Sequence, residues 1–356
     1  MRTLFLLLLI LQFPNIWAQT NPQKKDTVKQ KTEQLKEVIV SGNTILGSRF
    51  EVKNKTGSAS YISKEELKKF SYTNINRVLQ TVPGINIYEE DGFGLRPNIS
   101  LRGTSPERSA KINLMEDGVL IAPAPYSAPA AYYFPTIARM EAIEILKGSS
   151  QIQYGPNTTG GAINMMSSQI PDKFSGKASI AVGNYDSRNT QLVIGDSYKN
   201  FGFVTDYFNY NSDGFKELDG GGNTGFDKSD YLAKFRVNSN LDAKTYQSLT
   251  FKIQYSEEEA YETYLGLTDE DFEENPYRRY RASSKDVMNA EHQQYQLTHF
   301  IQLSPSLHIS TTGYLNKFKR NWYKLDDVNL GERVSISNIL SSPQSYPLKY
   351  QTILGN

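Results

Sequence analysis

Five arginines and a few tyrosines carry the strongest chemical signal in this chain. Arg278, Arg279 and Arg281 are interleaved with Tyr277 and Tyr280 in PYRRYRAS, Arg96 lies in EEDGFGLRP, and Arg108 lies in TSPERSA. Guanidinium forks match carboxylates two bonds at a time, so this set suits a cationic, aromatic pocket for an organic anion. The rival reading is that these arginines balance Glu89, Glu90, Asp91 and Glu107 beside them, since surface ion pairs are common and weak. Other chemistry is thinly represented. The chain has no Cys, and its three His stand at 292, 299 and 308. Odd spacings put successive strand residues on opposite faces, so no two successive His share a side and they do not read as metal ligands. The acidic run DEDFEEN, 269–275, lacks the turn glycine of a calcium loop and reads as solvated. The glycine-rich stretch IEILKGSSQIQYGPNTTGGAINMMSS, 143–168, fits neither phosphate-binding pattern, because no Lys-Ser/Thr follows and AINMM continues as a strand. Neither catalysis, a cofactor nor a bound metal is expected.

The elements that must position these residues change character along the chain. Its 356 residues suffice for two or more domains, and a net charge of +1 argues against a nucleic-acid partner. Residues 1–18, with an apolar run from Leu4 to Leu11 and a small Ala18, read as a secretory signal peptide too short to span a membrane. Residues 19–34 are polar and aperiodic and are expected to form a disordered leader. LKEVIVSG, 35–42, is either an ordinary edge strand or a tethered strand offered to a partner's sheet edge. From 43 to 171 the chain reads as mixed α+β. A capping-box spacing at Ser63 and Glu66 opens a helix, and a second helix must stop before Pro83. Strands follow at NISLRG, KINLMEDGVLI and MEAIEILKG, with a hairpin turn at Asp117-Gly118.

From 172 to 356, period-two alternation takes over in runs of about ten residues, the length of a tilted transmembrane strand. Tyr231, Ala233, Phe235, Val237 and Leu241 alternate with Leu232, Lys234, Arg236, Asn238 and Asn240, while Leu249, Phe251, Ile253 and Tyr255, then Tyr295, Leu297, Ile301 and Leu303, alternate with polar neighbours. A soluble sandwich would show the same alternation. The connections favour a barrel: tight links at Lys199-Asn200, 242–245 and 304–306 take turns with long ones near 212–229, 257–289 and from 321 on. The first hairpin, near Tyr185–Arg188, is short where a long loop is due. About seven strands are expected, too few and too odd a number to close a barrel.

These residues together resemble the TonB-dependent outer-membrane receptors. Glu144, Lys147, Gly148, Tyr154, Gly155, Gly160 and Gly161 follow the plug signature of that family, LKEVIVSG is similar to its TonB box, and VPGI, LRG and MEDGV fall in the order the plug requires. APAPYSAPAAYYFP, with Tyr126, and YLGLTDEDFEENPYRRYRAS resemble the ferric dicitrate receptors. The resemblance implies an α+β plug followed by an antiparallel transmembrane β-barrel of roughly 22 strands, incomplete here. It implies TonB, with its inner-membrane energising complex, as partner through Leu35, Glu37, Val38, Ile39 and Val40. It also implies outer-membrane lipid around the barrel, and a ferric chelate as ligand near Arg96, Arg108, Tyr126, Tyr277, Arg278, Arg279, Tyr280 and Arg281. A plug lock at Arg102, Glu144 and Lys147 is implied as well, although Lys147 stands where the family has Arg and cannot supply its fork. The short leader leaves no room for a signalling domain. The runner-up is a passive porin-like or surface-binding barrel without energy coupling. The native polypeptide is expected to continue past Asn356, which the intact mass of the endogenous protein checks.

Overall fold

Ser63 and Glu66 close a reciprocal cap at the first helix: Ser63 N donates to Glu66 Oε2 at 2.8 Å, and Glu66 N to Ser63 Oγ at 3.4 Å. The computed structural model of the protein describes residues 58–70, 73–121, 128, 133–147, 154–155, 159–304 and 306–355. The expected signal peptide (1–18), leader (19–34), box (35–42) and Tyr126 lie outside the described residues. The plug elements are β1 (Ser58–Ile62), α1 (Lys64–Phe70), α2 (Ile75–Leu79), β2 (Ile85–Tyr88), β3 (Asn98–Leu101), β4 (Ile112–Glu116), β5 (Val119–Leu120), β6 (Met140–Lys147) and β7 (Gly161–Ser167). Helix α2 starts at Asn74, whose side chain accepts from Asn76 N at 2.8 Å, and stops well before Pro83.

A five-stranded sheet in the order β1-β6-β7-β4-β5 forms the plug, with β4 and β7 parallel and the other neighbours antiparallel. Strands β2 and β3 form a separate hairpin. Leu79, Ile99, Leu101, Ile112, Ile143 and Ile163 are buried together in its core. Asp117 and Gly118, at φ 48 and 78, turn β4 into β5 as the two left-handed residues of a tight hairpin. Gly161 opens β7 at φ +153, where a Cβ would strike Leu101 and lie 2.5 Å from Leu146 O.

The wall follows: β8 (Ser175–Val182), β9 (Arg188–Ser197), β10 (Phe201–Ser212), β11 (Glu217–Leu218), β12 (Phe226–Asn238), β13 (Tyr246–Ala260), α3 (Asp269–Glu274), β14 (Arg278–Arg279), β15 (Val287–Ser304) and β16 (Leu307–Tyr323). Seven of these strands pair in the order β8-β9-β10-β12-β13-β15-β16, each antiparallel to the next. Strands β13, β15 and β16 run 15, 18 and 17 residues, longer than the ten or so that crossing requires. Carrying the ladder past the apolar band keeps backbone donors paired, and so the long loops are shorter than the sequence suggests. Leu241, expected on the apolar face, instead lies beyond the end of β12 in the turn to β13.

Side-chain burial is inverted relative to a soluble sheet. Phe251 is 39% exposed and Phe235 41%, whereas Lys252 and Lys234 are each 2% exposed. Apolar groups outside and charges inside mean that lipid is the solvent on the outer face; a sandwich would bury the phenylalanines. In register, Tyr207, Tyr231 and Tyr255 make an outward aromatic row, their rings 4.8 and 6.2 Å apart. Phe203, Phe235, Phe251 and Leu297 make the row below it. A groove of about 800 Å³ along Leu192, Ile194, Tyr207, Tyr231 and Ile253 lies on this outer face and suits acyl chains. Among the described residues no helix is long and apolar enough to cross a membrane.

Beyond β16 come β17 (Asp327–Leu330), β18 (Glu332–Ser335), α4 (Ile336–Ser341) and α5 (Pro347–Leu354). They pack with the 261–286 loop around Leu265, Tyr280, Val334, Ile336, Ile339 and Ile353, a lobe on the long-loop side. Placing a charge on the outer face tests its solvent. Phe251→Lys in the full-length barrel folded into vesicles is expected to lose about 2–4 kcal/mol, the mid-bilayer cost of Lys, measured by equilibrium unfolding.

Candidate functional site: a charged plug seam beneath a cationic mouth

The β4–β5 turn carries two carboxylates against the wall. Arg139 Nη1 donates to Glu116 Oε1 at 2.6 Å, and its Nη2 to Glu116 Oε2 at 3.1 Å and to Tyr133 Oη at 2.7 Å. Its Nε lies 3.7 Å from Asp230 Oδ2 of β12. Lys252 of β13 bridges Glu116 Oε1 and Asp117 Oδ2, both at 2.7 Å, and Lys234 of β12 reaches Asp117 Oδ2 at 3.2 Å. Lys234 and Lys252 are register partners, so two ammonium groups side by side on the wall meet two adjacent carboxylates on the plug. Burial pushes the Glu116 carboxyl up, but Arg139 and then Lys252 outweigh it and hold it down at about 2. Asp117 is likewise pushed up by burial and pulled far below the usual carboxylate range by Lys234 and Lys252.

Two further ties flank this centre. Above it, Arg96 reaches Glu258 at 2.5 Å and Glu262 at 2.8 Å, while Lys228 reaches Glu258 at 3.2 Å and donates to Phe134 O at 2.9 Å. On its other side, Ser168 Oγ donates to Asp206 Oδ2 at 2.6 Å. Each of the expected lock residues has a partner within the plug. Glu144 Oε2 accepts from Asn164 Nδ2 at 2.7 Å, Lys147 Nζ donates to Pro83 O at 2.8 Å, and exposed Arg102 donates its backbone N–H to Gly84 O at 3.0 Å. Burial and then Arg102 lower the Lys147 ammonium's pKa. Sequence reading missed Glu116, Asp117, Arg139, Lys234 and Lys252. The available signal was the charges on the polar phase of β12 and β13, because a lumen that is filled must answer each of them.

The structure does not gather the five arginines into one pocket. Arg96 is buried in its two ion pairs. Arg278 is held by Asp219 at 3.0 Å and Asp271 at 2.6 Å. Arg279 donates to Pro276 O at 3.0 Å and Arg278 O at 2.5 Å, and burial lowers its pKa. Arg281 lies against Gly220 and Gly355. Tyr280, expected to face ligand, is fully buried in the lobe, its hydroxyl donating to Asp271 Oδ2 at 2.5 Å and accepting from Thr268 N at 3.0 Å. Tyr277 is exposed and packs edge-on to Phe215 at 6.2 Å. Thus PYRRYRAS builds the lobe, since its alternating residues meet loop carboxylates first.

Another aromatic and basic run, KFKRNWYK, supplies the mouth. Arg108 of the plug, Arg320 and Lys324 lie 5.6, 5.4 and 5.0 Å from the Trp322 ring, and Lys324 sits 4.2 Å over Tyr264. Lys324 also pairs with Asp326 at 2.6 Å. The two plug apices differ. In the 89–97 loop, the Asp91 carboxylate accepts from the backbone N–H of Phe93, Gly94, Leu95 and Arg96, and Phe93 packs 4.9 Å from Phe226. In the 104–110 loop, Arg108 and Ser109 stand at φ 50 and 55, left-handed positions costing roughly 1–2 kcal/mol each for L residues. Of the His, His292 faces inward, stacked 4.1 Å from Tyr133; His299 bonds Gln247 at 3.2 Å, and His308 lies 5.6 Å from Phe300. Among the described residues, no group of three or more His, Asp or Glu could hold a metal.

A family profile, the TonB-dependent receptor plug domain, matches residues 51–162. Among solved structures, the ferric citrate transporter FecA in its unliganded form aligns with a TM-score of 0.65 at 20% identity, over 78% of this chain and 42% of its own. The siderophore receptor PiuA from Acinetobacter baumannii aligns at 0.57 and 19%, over 76% of this chain and 38% of its own. The ferric yersiniabactin uptake receptor FyuA from Yersinia pestis aligns at 0.57 and 18%, over 76% and 42%. At such identities the likeness is one of fold, and the chain spans about two fifths of the length of these proteins. Residues 51–162 thus match a TonB-dependent receptor plug, and a seven-stranded antiparallel sheet follows them.

Breaking the seam from one side leaves charges buried and unmatched. Lys252→Ala is expected to weaken plug docking by about 3–5 kcal/mol, read as faster hydrogen exchange in β4 and β7 of the full-length receptor. Acid should act through Glu116. Because its folded pKa lies below its ordinary 4.5, its stabilisation is present above that value and is lost as pH falls through about 2. Exchange in β4 followed from neutral pH downward should accelerate only at that acid end.

Proposed function

We propose that this chain serves in a TonB-dependent outer-membrane receptor that binds a ferric chelate at its outer mouth and admits it past the plug. The observation that carries this reading is a plug held by buried ion pairs against a wall whose apolar side faces lipid. Such a plug blocks the lumen until something moves it, and no covalent step is required. In this reading residues 1–18 direct export, 19–34 form the leader, and Leu35, Glu37, Val38, Ile39 and Val40 offer a strand edge to TonB. The plug then occupies 43–171, and the wall begins at 172.

The cargo we favour is ferric dicitrate or a similar anionic chelate. Three cations around one indole, with a tyrosine alongside, favour a ligand rich in carboxylates. Arg96 and Arg278 are already committed to carboxylates, which leaves Arg108 as the best placed of the arginines first considered.

A strand-addition site is sensitive to the loss of one backbone donor. Ile39→Pro is expected to abolish chelate uptake by cells while leaving external binding intact. Transport assays with labelled ferric citrate check this. Uptake that persists both in this variant and after deletion of 35–42 would make the barrel a passive one.

A further inference from the structure

We propose that Lys216 and Thr263 form a strained catch on the plug: Lys216 pins Thr263 in a left-handed backbone, and that backbone sets Glu262 against Arg96 of the plug apex. The catch needs no particular cargo. Thr263 stands at φ 45 and is 3% exposed. A β-branched residue is a rare occupant of the left-handed region, where its Cβ crowds the neighbouring carbonyl. Strain of this kind persists where the surroundings fix the residue.

What fixes Thr263 is a side chain from another loop. Lys216, between β10 and β11, reaches across to this corner. Its Nζ donates to Glu262 O at 2.9 Å and to Thr263 Oγ1 at 3.2 Å, and Thr263 Oγ1 donates to Glu262 O at 2.8 Å. Lys216 is held in turn by its own loop, where Thr224 Oγ1 donates to Lys216 O at 2.9 Å. The residues on either side of Thr263 are committed to different bodies. Glu262 Oε1 lies 2.8 Å from Arg96 Nη1 of the plug. Tyr264 is tied to the wall: its N–H donates to Asp286 Oδ2 at 2.9 Å, and its ring stands edge-on to Trp322 at 5.3 Å. Relaxing Thr263 to an ordinary backbone rotates the peptides on both sides of it. With Tyr264 held, Glu262 is the one that moves off Arg96.

The catch also responds to protons. The Lys216 ammonium is bonded to two neutral oxygens, and among the described residues no carboxylate pairs with it. Arg279 of β14 faces it with like charge, while Asp91 and Glu90 of the plug apex and Glu262 face it with opposite charge. Burial and then Arg279 outweigh those carboxylates and hold its pKa down at about 8, below the ordinary 10.5. Opening the catch returns the amine to water, so between these values the open form binds the extra proton. The hold is therefore weakest below pH 8 and strengthens as pH rises from about 8 towards 10.5. A neutral amine still supplies both hydrogen bonds, without the cost of a buried charge.

The test is amide hydrogen exchange of the full-length receptor in detergent, followed in segments 89–97 and 261–264 for wild type, Lys216→Met, Thr263→Val and Thr263→Gly. Thr263→Val keeps the strain and loses the hydroxyl, and Lys216→Met removes the pin. Both are expected to exchange about tenfold faster than wild type in the two segments at neutral pH. Thr263→Gly adopts the left-handed backbone without a pin and should stay as protected as wild type. With the intrinsic rate divided out, wild-type protection should rise about tenfold between about pH 7.5 and 9.5, and Lys216→Met should show no such rise. Wild-type protection in either Lys216→Met or Thr263→Val overturns the catch. So does a Gly variant as loose as Val, because the backbone is then not what holds Glu262. Equal pH profiles in wild type and Lys216→Met remove Lys216 as the pin, and the inference falls with it.

Discussion

Charge matching between plug and wall is the constraint on which the rest of this structure depends. A wall with lipid outside turns its polar residues inward, and a filled lumen denies most of them water. Asp230, Lys234 and Lys252 therefore need partners, and Glu116, Asp117 and Arg139 are brought to them by one hairpin and the start of one strand. Three anions meet three cations, so the centre of the seam is neutral although nearly every member is charged. Buried pairs of this kind contribute little net stability against an apolar alternative, yet they penalise any other placement of the plug severely. Register and orientation, rather than adhesion, are what the seam supplies.

In the transport reading proposed above, that division suits a plug that sits in one place and is still displaced. An apolar seam would be indifferent to small slips and would resist wetting. A charged seam tolerates no slip, but once opened its groups are readily taken up by water. The two apices show the same logic on a smaller scale. One is fixed by Asp91, Phe93 and Arg96, and the other meets the wall through an arginine on an indole face.

The fold was largely legible because its signals are local. Alternation along β12, β13 and β15 marks strands whatever lies beside them, the Ser63/Glu66 spacing marks a helix start, and Asp117-Gly118 marks a tight turn. Strand ends were less legible, since hydrogen-bonded pairing runs on past the apolar band, and Leu241 was placed in a strand that ends at Asn238. Site residues were the least legible. Tyr280 looks like a ligand contact beside its arginines, but Asp271 and the lobe core bury it.

By itself the sequence determined the order of the domains, the alternation of the wall and the need for inward charges to be answered, because each depends on residue type and spacing along one chain. Which carboxylate answers which lysine, and which arginine is left facing the mouth, only the tertiary structure decided. Glu116 and Lys252 are 136 positions apart, and Arg108 and Trp322 come together from plug and wall. Pairings at such separations follow from how the sheet of the plug is set against the register of the barrel, and no local pattern encodes that.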